Sequence, residues 1–183
     1  MAESYEVDNI FYSIDGSNAT VTGCAVEVTD SVINSALQAT TAIVTGSYPA
    51  PNILILTIPS TVDISGTTYT VRTIGDSAFI NRTDLTTIII PDSVTSIVEN
   101  AFSGCTSLIS VTIGNSVTTI GANAFSGCTS LVTLTIPYSV ITIGDNAFSG
   151  CSGLTSIIIP NMNTIIASNA FDGCTSLARF YKI

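Results

Sequence analysis

The chain has 183 residues, 46% hydrophobic and only 9% charged, with four basic side chains (Arg72, Arg82, Arg179 and Lys182) against thirteen acidic ones and a net charge of −9. That length suits one domain with a real core, and the acidic balance argues against nucleic acid or an anionic membrane surface as partner, since both need clustered Lys and Arg. Apolar runs such as Ile88 to Ile90 fall far short of a membrane span, so no membrane insertion is expected.

The start, Met1-Ala2-Glu3-Ser4-Tyr5-Glu6, lacks the basic-then-apolar pattern of a secretory leader, which leaves an intracellular or virion-associated protein, or a processed or recombinant form, as readings. Residues 1–52 are expected to form an N-terminal cap. Ile10-Phe11-Tyr12-Ser13-Ile14, the turn Asp15-Gly16-Ser17 and Ala19-Thr20-Val21 read as a β-hairpin. From Asp30 to Val44, the residues Val32, Ile33 and Leu37 fit a short helix stripe behind an Asp cap, while the Thr and Val content fits a strand as well.

Residues 53–183 repeat. Ala-Phe pairs begin at Ala78, Ala101, Ala124, Ala147 and Ala170, each step being 23 residues. Each copy opens on a Leu-x-x-Val/Ile-x-Ile segment whose last three positions alternate, the period of a strand. The strand positions are Ile53/Leu56/Ile58, Leu85/Ile88/Ile90, Leu108/Val111/Ile113, Leu131/Leu134/Ile136, Leu154/Ile157/Ile159 and Leu177/Phe180/Lys182, which indicates six coils. Strands recurring at one phase stack in parallel at about 4.8 Å, predicting one continuous sheet along one face of a solenoid, with the Ile and Ala-Phe positions as the opposite wall. A unit this small cannot bury its apolar face alone, so its stability comes from its neighbours.

The first copy departs from the rest. Pro59 to Ala78 spans 19 positions where Pro91 to Ala101 spans 10, and the extra stretch, near 60–72, alternates around Ser65-Gly66. It predicts a projecting hairpin insertion. Arg82 stands where the following coils have Cys. In the last copy Lys182 stands where earlier ones have Ile, a charge that blunts further stacking, although an exposed last coil also allows self-association.

The unit Leu131-x-x-Leu134-x-Ile136-Pro137-x-Ser139-Val140-x-x-Ile143-Gly144-x-x-Ala147-Phe148-x-Gly150-Cys151 resembles the BspA-like leucine-rich repeat. The resemblance implies a repeat solenoid, a leucine-rich-repeat right-handed superhelix that is mostly β. Its parallel sheet would lie on the concave face and short turns or 3-10 segments on the convex side, behind the β-hairpin cap. It also implies a cell-surface or secreted protein concerned with adhesion and host interaction.

Chemistry is sparse. The sequence has no His, which removes imidazole bases, Ser-His and Cys-His pairs and most zinc sites, and Lys182 is the only Lys. No enzyme, metal or cofactor is expected. Cys105, Cys128, Cys151 and Cys174 recur at the repeat spacing and could form a metal or disulfide ladder; a column of buried thiols is the preferred reading, because equivalent Cβ atoms about 4.8 Å apart exceed what a disulfide wants. Asn100, Asn123, Asn146 and Asn169 read as stacked amides serving turn backbone groups rather than a ligand site. Asp76, Glu99 and Asp145 invite calcium, but Ala122 and Ser168 interrupt the column and no loop gathers six oxygens. The sequons Asn18-Ala19-Thr20 and Asn81-Arg82-Thr83 are what chance gives in a Thr-rich chain.

The outward strand positions are the candidate binding residues. One column runs Thr87, Ser110, Thr133, Ser156, Arg179, and the other Thr57, Ile89, Thr112, Thr135, Ile158, Tyr181. A flat, uncharged face of hydroxyls and methyls suits a protein or glycan partner, and Arg179 with Tyr181 resembles an interface anchor pair. The bland alternative is that Thr and Ile favour strands. Packing of solenoids into a surface layer or virion particle is the second functional reading, favoured by the low charge. Ordered-water binding by the Thr columns is a third, weakened by the intruding Ile89 and Ile158.

Overall fold

The computed structural model describes residues 4–7, 10–15, 18–24, 54–64 and 66–183; the helix-or-strand segment 30–44 and the boundary near residue 52 lie outside them. The described residues contain fifteen strands and no helix, and therefore no helix long and apolar enough to cross a membrane. They form a solenoid of stacked parallel strands. Coils 2 to 5 start at Leu85, Leu108, Leu131 and Leu154, with coil 1 before them and a sixth strand after.

Each coil contributes one strand to the face predicted from the alternation: β4 (Leu54–Thr57), β7 (Leu85–Ile89), β9 (Ser110–Thr112), β11 (Thr133–Thr135), β13 (Ser156–Ile159) and β15 (Arg179–Lys182). The expected single sheet is instead two, β4-β7-β9 and β11-β13-β15, with no ladder between β9 and β11. The unbroken sheet lies on the other side. There β8 (Ser96–Ile97), β10 (Thr119–Ile120), β12 (Thr142–Ile143) and β14 (Ile165–Ile166) pair in parallel, each offset 23 residues from the last. Two-residue strands are too short to show alternation, so the sequence displays them only as a wall of Ile.

At the N-terminal end β2 (Ile10–Asp15) and β3 (Asn18–Cys24) form the expected hairpin, with β1 (Ser4–Val7) added outside β2. The insertion forms β5 (Thr61–Ile64) and β6 (Thr67–Ile74), paired antiparallel, but it does not project. β6 lies between β3 and β8, parallel to both, so it joins the cap to the turn-side ladder. Val62, Ile64, Val71 and Ile74 are buried; apolar alternation here marks a face laid on the core.

The core is one continuous cluster. Phe79, Phe102, Phe125, Phe148 and Phe171 stack with centroids 5.0 to 5.3 Å apart and ring planes within 11°. Parallel rings follow from identical backbone in every coil: the Phe79, Phe102, Phe125 and Phe148 amides donate to the Ala carbonyls of the next coil at 2.7 to 2.8 Å. Ser77, Asn100, Asn123 and Asn146 sit just before the Ala-Phe pairs with φ of 53 to 55°. The left-handed turn thus explains Asn100, Asn123 and Asn146 of the column, since a short polar side chain tolerates that conformation. The amides do little cross-coil bonding, mainly Asn169 Oδ1 accepting the Asn146 amide and Asn100 Nδ2 donating to Asp76, both at 3.4 Å.

Candidate binding face

The alternation places the two columns as expected in register. Thr87 lies beside Ser110, and Thr133 beside Ser156 and Arg179; Thr57, Ile89 and Thr112 are neighbours, as are Thr135, Ile158 and Tyr181. Ile89, Ser110, Thr112, Thr133, Thr135, Arg179 and Tyr181 are exposed, whereas Thr87, Ser156 and Ile158 are half-buried. The inward partners Ile88, Leu134 and Ile157 are buried. The structure therefore brings all ten onto one face, but in two blocks separated by the missing ladder.

The break lies beside a local exception in the repeat. Coils 1, 2, 4 and 5 follow the strand with Ile-Pro (Pro59, Pro91, Pro137, Pro160), whereas coil 3 has Ile113-Gly114. A Cβ at Gly114 would overlap the Pro91 carbonyl oxygen and lie 2.8 Å from the Asp92 nitrogen. Only glycine permits so close an approach. Asp92 Oδ1 then accepts the Asn115 amide at 2.7 Å and its side-chain Nδ2 at 3.3 Å. This corner of coil 3 thus packs closely on coil 2, next to the missing ladder to coil 4.

The repeat defines what is lost. Ile90 N–H donates to Thr112 O and Ile136 N–H to Ile158 O, both at 2.9 Å; Ile109 N–H donates to Thr86 O and Thr155 N–H to Val132 O, both at 2.8 Å. The equivalents across the break, Ile113 N–H to Thr135 O and Val132 N–H to Ile109 O, are not made. In their place is a cleft of about 350 Å³ lined by Ser110, Val111, Thr112, Ile113, Asn115, Thr133, Thr135 and Pro137. Val111, beside the seam, is half-buried where Ile88, Leu134 and Ile157 are buried. Sequence reasoning missed this cleft; the available signal was Gly114 in a column of prolines.

Other candidate chemistry resolves structurally. The repeat cysteines are free thiols, three buried and Cys174 half-buried. Each donates its S–H to a Phe carbonyl, Cys105 to Phe79, Cys128 to Phe102, Cys151 to Phe125 and Cys174 to Phe148, at 3.1 to 3.3 Å. The Cys151 thiol is pushed up to about 12 by its Cys128 neighbour and by burial, and Cys174 is raised by Cys151 and burial. Such thiols are poor nucleophiles. Arg82, replacing a cysteine, forms a bidentate pair with Asp84 (Nη2–Oδ2 2.7 Å, Nε–Oδ1 2.8 Å), and that bond holds the Asp84 carboxyl below its ordinary value. Lys182 turns its ammonium to the Thr164 carbonyl at 2.8 Å. Among the described residues no three Cys, Asp or Glu side chains gather as metal ligands.

Comparison with known proteins agrees with this architecture. Residues 52–181 match the BspA type leucine rich repeat region in six copies. A leucine-rich repeat protein from Bacteroides capillosus superposes with a TM-score of 0.63 at 27% identity, covering 90% of this chain and 99% of that one. A leucine rich cell surface protein from Faecalibacterium prausnitzii superposes at 0.57 with 27% identity over 98% of this chain, which spans 54% of that protein. The pneumococcal vaccine antigen PcpA shares the fold at 0.62 and 20% identity, over 92% of this chain and 39% of its own. No curated protein sequence matches. A profile covering six copies and more than half the length places the chain in the BspA-type leucine-rich-repeat family.

Proposed function

We propose that this chain is a non-catalytic, adhesion-type scaffold that presents its strand face to a protein or glycan partner at a cell surface. The observation that carries the reading is the pair of outward columns held in register by the ladder. Two parallel sheets side by side fix ten side chains at repeat spacing, with Arg179 the one charge among them. Preorganisation of that kind lowers the entropy lost on binding. The family, whose repeats serve as scaffolds, and the Faecalibacterium neighbour, described as a cell surface protein, both support it.

Thr112→Glu and Thr135→Glu test it. Both positions are exposed, so thermal stability should move by no more than about 0.5 kcal/mol, while pull-down of a partner by the strand face should be lost. Retained capture by the folded double variant would sink the reading.

A second reading, an assembly component of a surface layer or particle, draws support from the other side of coils 4 and 5. There Ile141, Met162 and Ile165 are 53%, 63% and 67% exposed, apolar surface suited to solenoid packing. Light scattering on concentrated protein decides; a monomer argues against it.

A further inference from the structure

Resting on that reading of the strand face, we infer that the seam between β9 and β11 is a subsite for one neutral sugar ring of a glycan chain. The lining supplies hydroxyls from Ser110, Thr112, Thr133 and Thr135 and the amide of Asn115, with no charged side chain. Asp92, which holds Asn115 in place, adds a carboxylate that disfavours anionic ligands. Sugar hydroxyls each donate and accept, so they match a lining of the same kind.

The backbone sharpens the choice between glycan and peptide. The unmade ladder leaves two donors, Ile113 N–H and Val132 N–H, and two acceptors, Ile109 C=O and Thr135 C=O. A peptide strand could satisfy both edges only by entering the ladder, which needs its neighbours about 9.6 Å apart, twice the usual spacing. β9 and β11 keep Cα pairs within 8 Å. A hydroxyl fits where a strand does not, and it can accept from one edge while donating to the other.

Size and rim agree. A cleft of about 350 Å³ is at the small end of ligand pockets and suits a single ring, the rest of the chain running over the face. Ile109 and Val132, 54% and 44% exposed, stand at one end, and Pro137 with its exposed neighbour Tyr138 at the other. Apolar and aromatic surface of this sort takes the C–H face of a pyranose.

The test is a titration of isotope-labelled full-length chain with cellotetraose, maltotetraose, mannotetraose and chitotetraose, followed by amide shifts. At least one should move the Ile113, Val132 and Thr133 amides and leave that of Phe125 in place. Thr133→Val and Asn115→Ala should each weaken that titration about three- to tenfold, the effect of one lost hydrogen bond, while Thr119→Val on the turn-side ladder leaves it unchanged. The inference is overturned if none of the four sugars moves those amides, if both variants titrate like the parent, or if sulfated heparin tetrasaccharide moves the seam amides more than any neutral probe. Thr87→Glu, on the face outside the seam, separates the two levels. Loss of partner capture in Thr87→Glu with a silent seam would leave the face reading standing and remove the sugar subsite. Capture retained in Thr112→Glu and Thr135→Glu removes the face reading itself.

Discussion

The two long sides of this solenoid are built from the same repeats and behave differently. The turn side is continuous from the cap through β14: strand ladder, Phe stack and the amide bonds to the Ala carbonyls all cross every coil boundary. The strand face, with longer strands, is interrupted between coils 3 and 4. Continuity here is set by what stands at the corners and not by strand length. A wall whose corner residues are Ala-Phe and an Asn turn repeats without error. A face whose corner is Ile-Pro in four coils and Ile-Gly in one opens beside the exception.

The largest test of that contrast strikes the intact wall. Phe125→Ala removes a fully buried ring between two stacked neighbours and should cost about 3–5 kcal/mol in chemical denaturation. A loss under about 1 kcal/mol would show that the wall is not the spine of the fold. Next comes the corner. Gly114→Ala drives a methyl into the Pro91 carbonyl and should cost about 1–3 kcal/mol. In the parent, hydrogen exchange should be faster at Ile113 and Val132 than at Ile90 and Ile136, whose bonds are made. Equal protection at all four would mean the ladder closes in solution.

The thiol column sharpens the comparison at smaller amplitude. Cys105, Cys128 and Cys151 should label slowly in the native state and quickly after denaturation, and reducing agent should leave stability unchanged, as there is no cross-link to lose. Because Cys151 is raised from 9.0 to about 12, its contribution is complete below pH 9, where the unfolded thiol is also neutral. It is lost as pH climbs from 9 towards 12, since the unfolded chain then ionises first. A flat alkaline profile for a Cys151→Ala comparison would contradict the buried column. Smallest is Asp84→Asn, less than about 1 kcal/mol because the pair is partly solvated. The folded Asp84 carboxyl is lowered, so its contribution is present above 3.8 and fades as pH falls below it; a thermal melt at pH 7 and again at pH 3 reads the difference.

Much of this was legible in the residues. Four near-identical copies fixed the spacing, the inward Leu and Ile, the outward Thr and the burial of the cysteines, because those features depend only on period and polarity. The cap hairpin was legible through its turn. Three features were hidden for physical reasons. The second ladder uses pairs such as Thr119-Ile120, too short to alternate. The insertion alternates like a free hairpin, and nothing local reveals that β6 finds parallel partners on both sides. The seam depends on how closely two backbones approach, a property of Gly114 and Pro91 together that no pattern within one coil expresses.

The 23-residue offset of the ladder pairs from coil 2 onward also bears on how the chain comes together. Each of these coils must close a loop of the same length to meet its neighbour, so the entropic cost per step is uniform among them. The gain per step is not, for the junction of coils 3 and 4 is the one between coils 2 and 5 that lacks a strand-face ladder. Assembly by nucleation and zippering, as expected of a one-dimensional array, would run freely within each half and slow at that tooth. The seam then marks where two folding units meet, and rapid-mixing experiments should find a transient species with coils on only one side of it ordered.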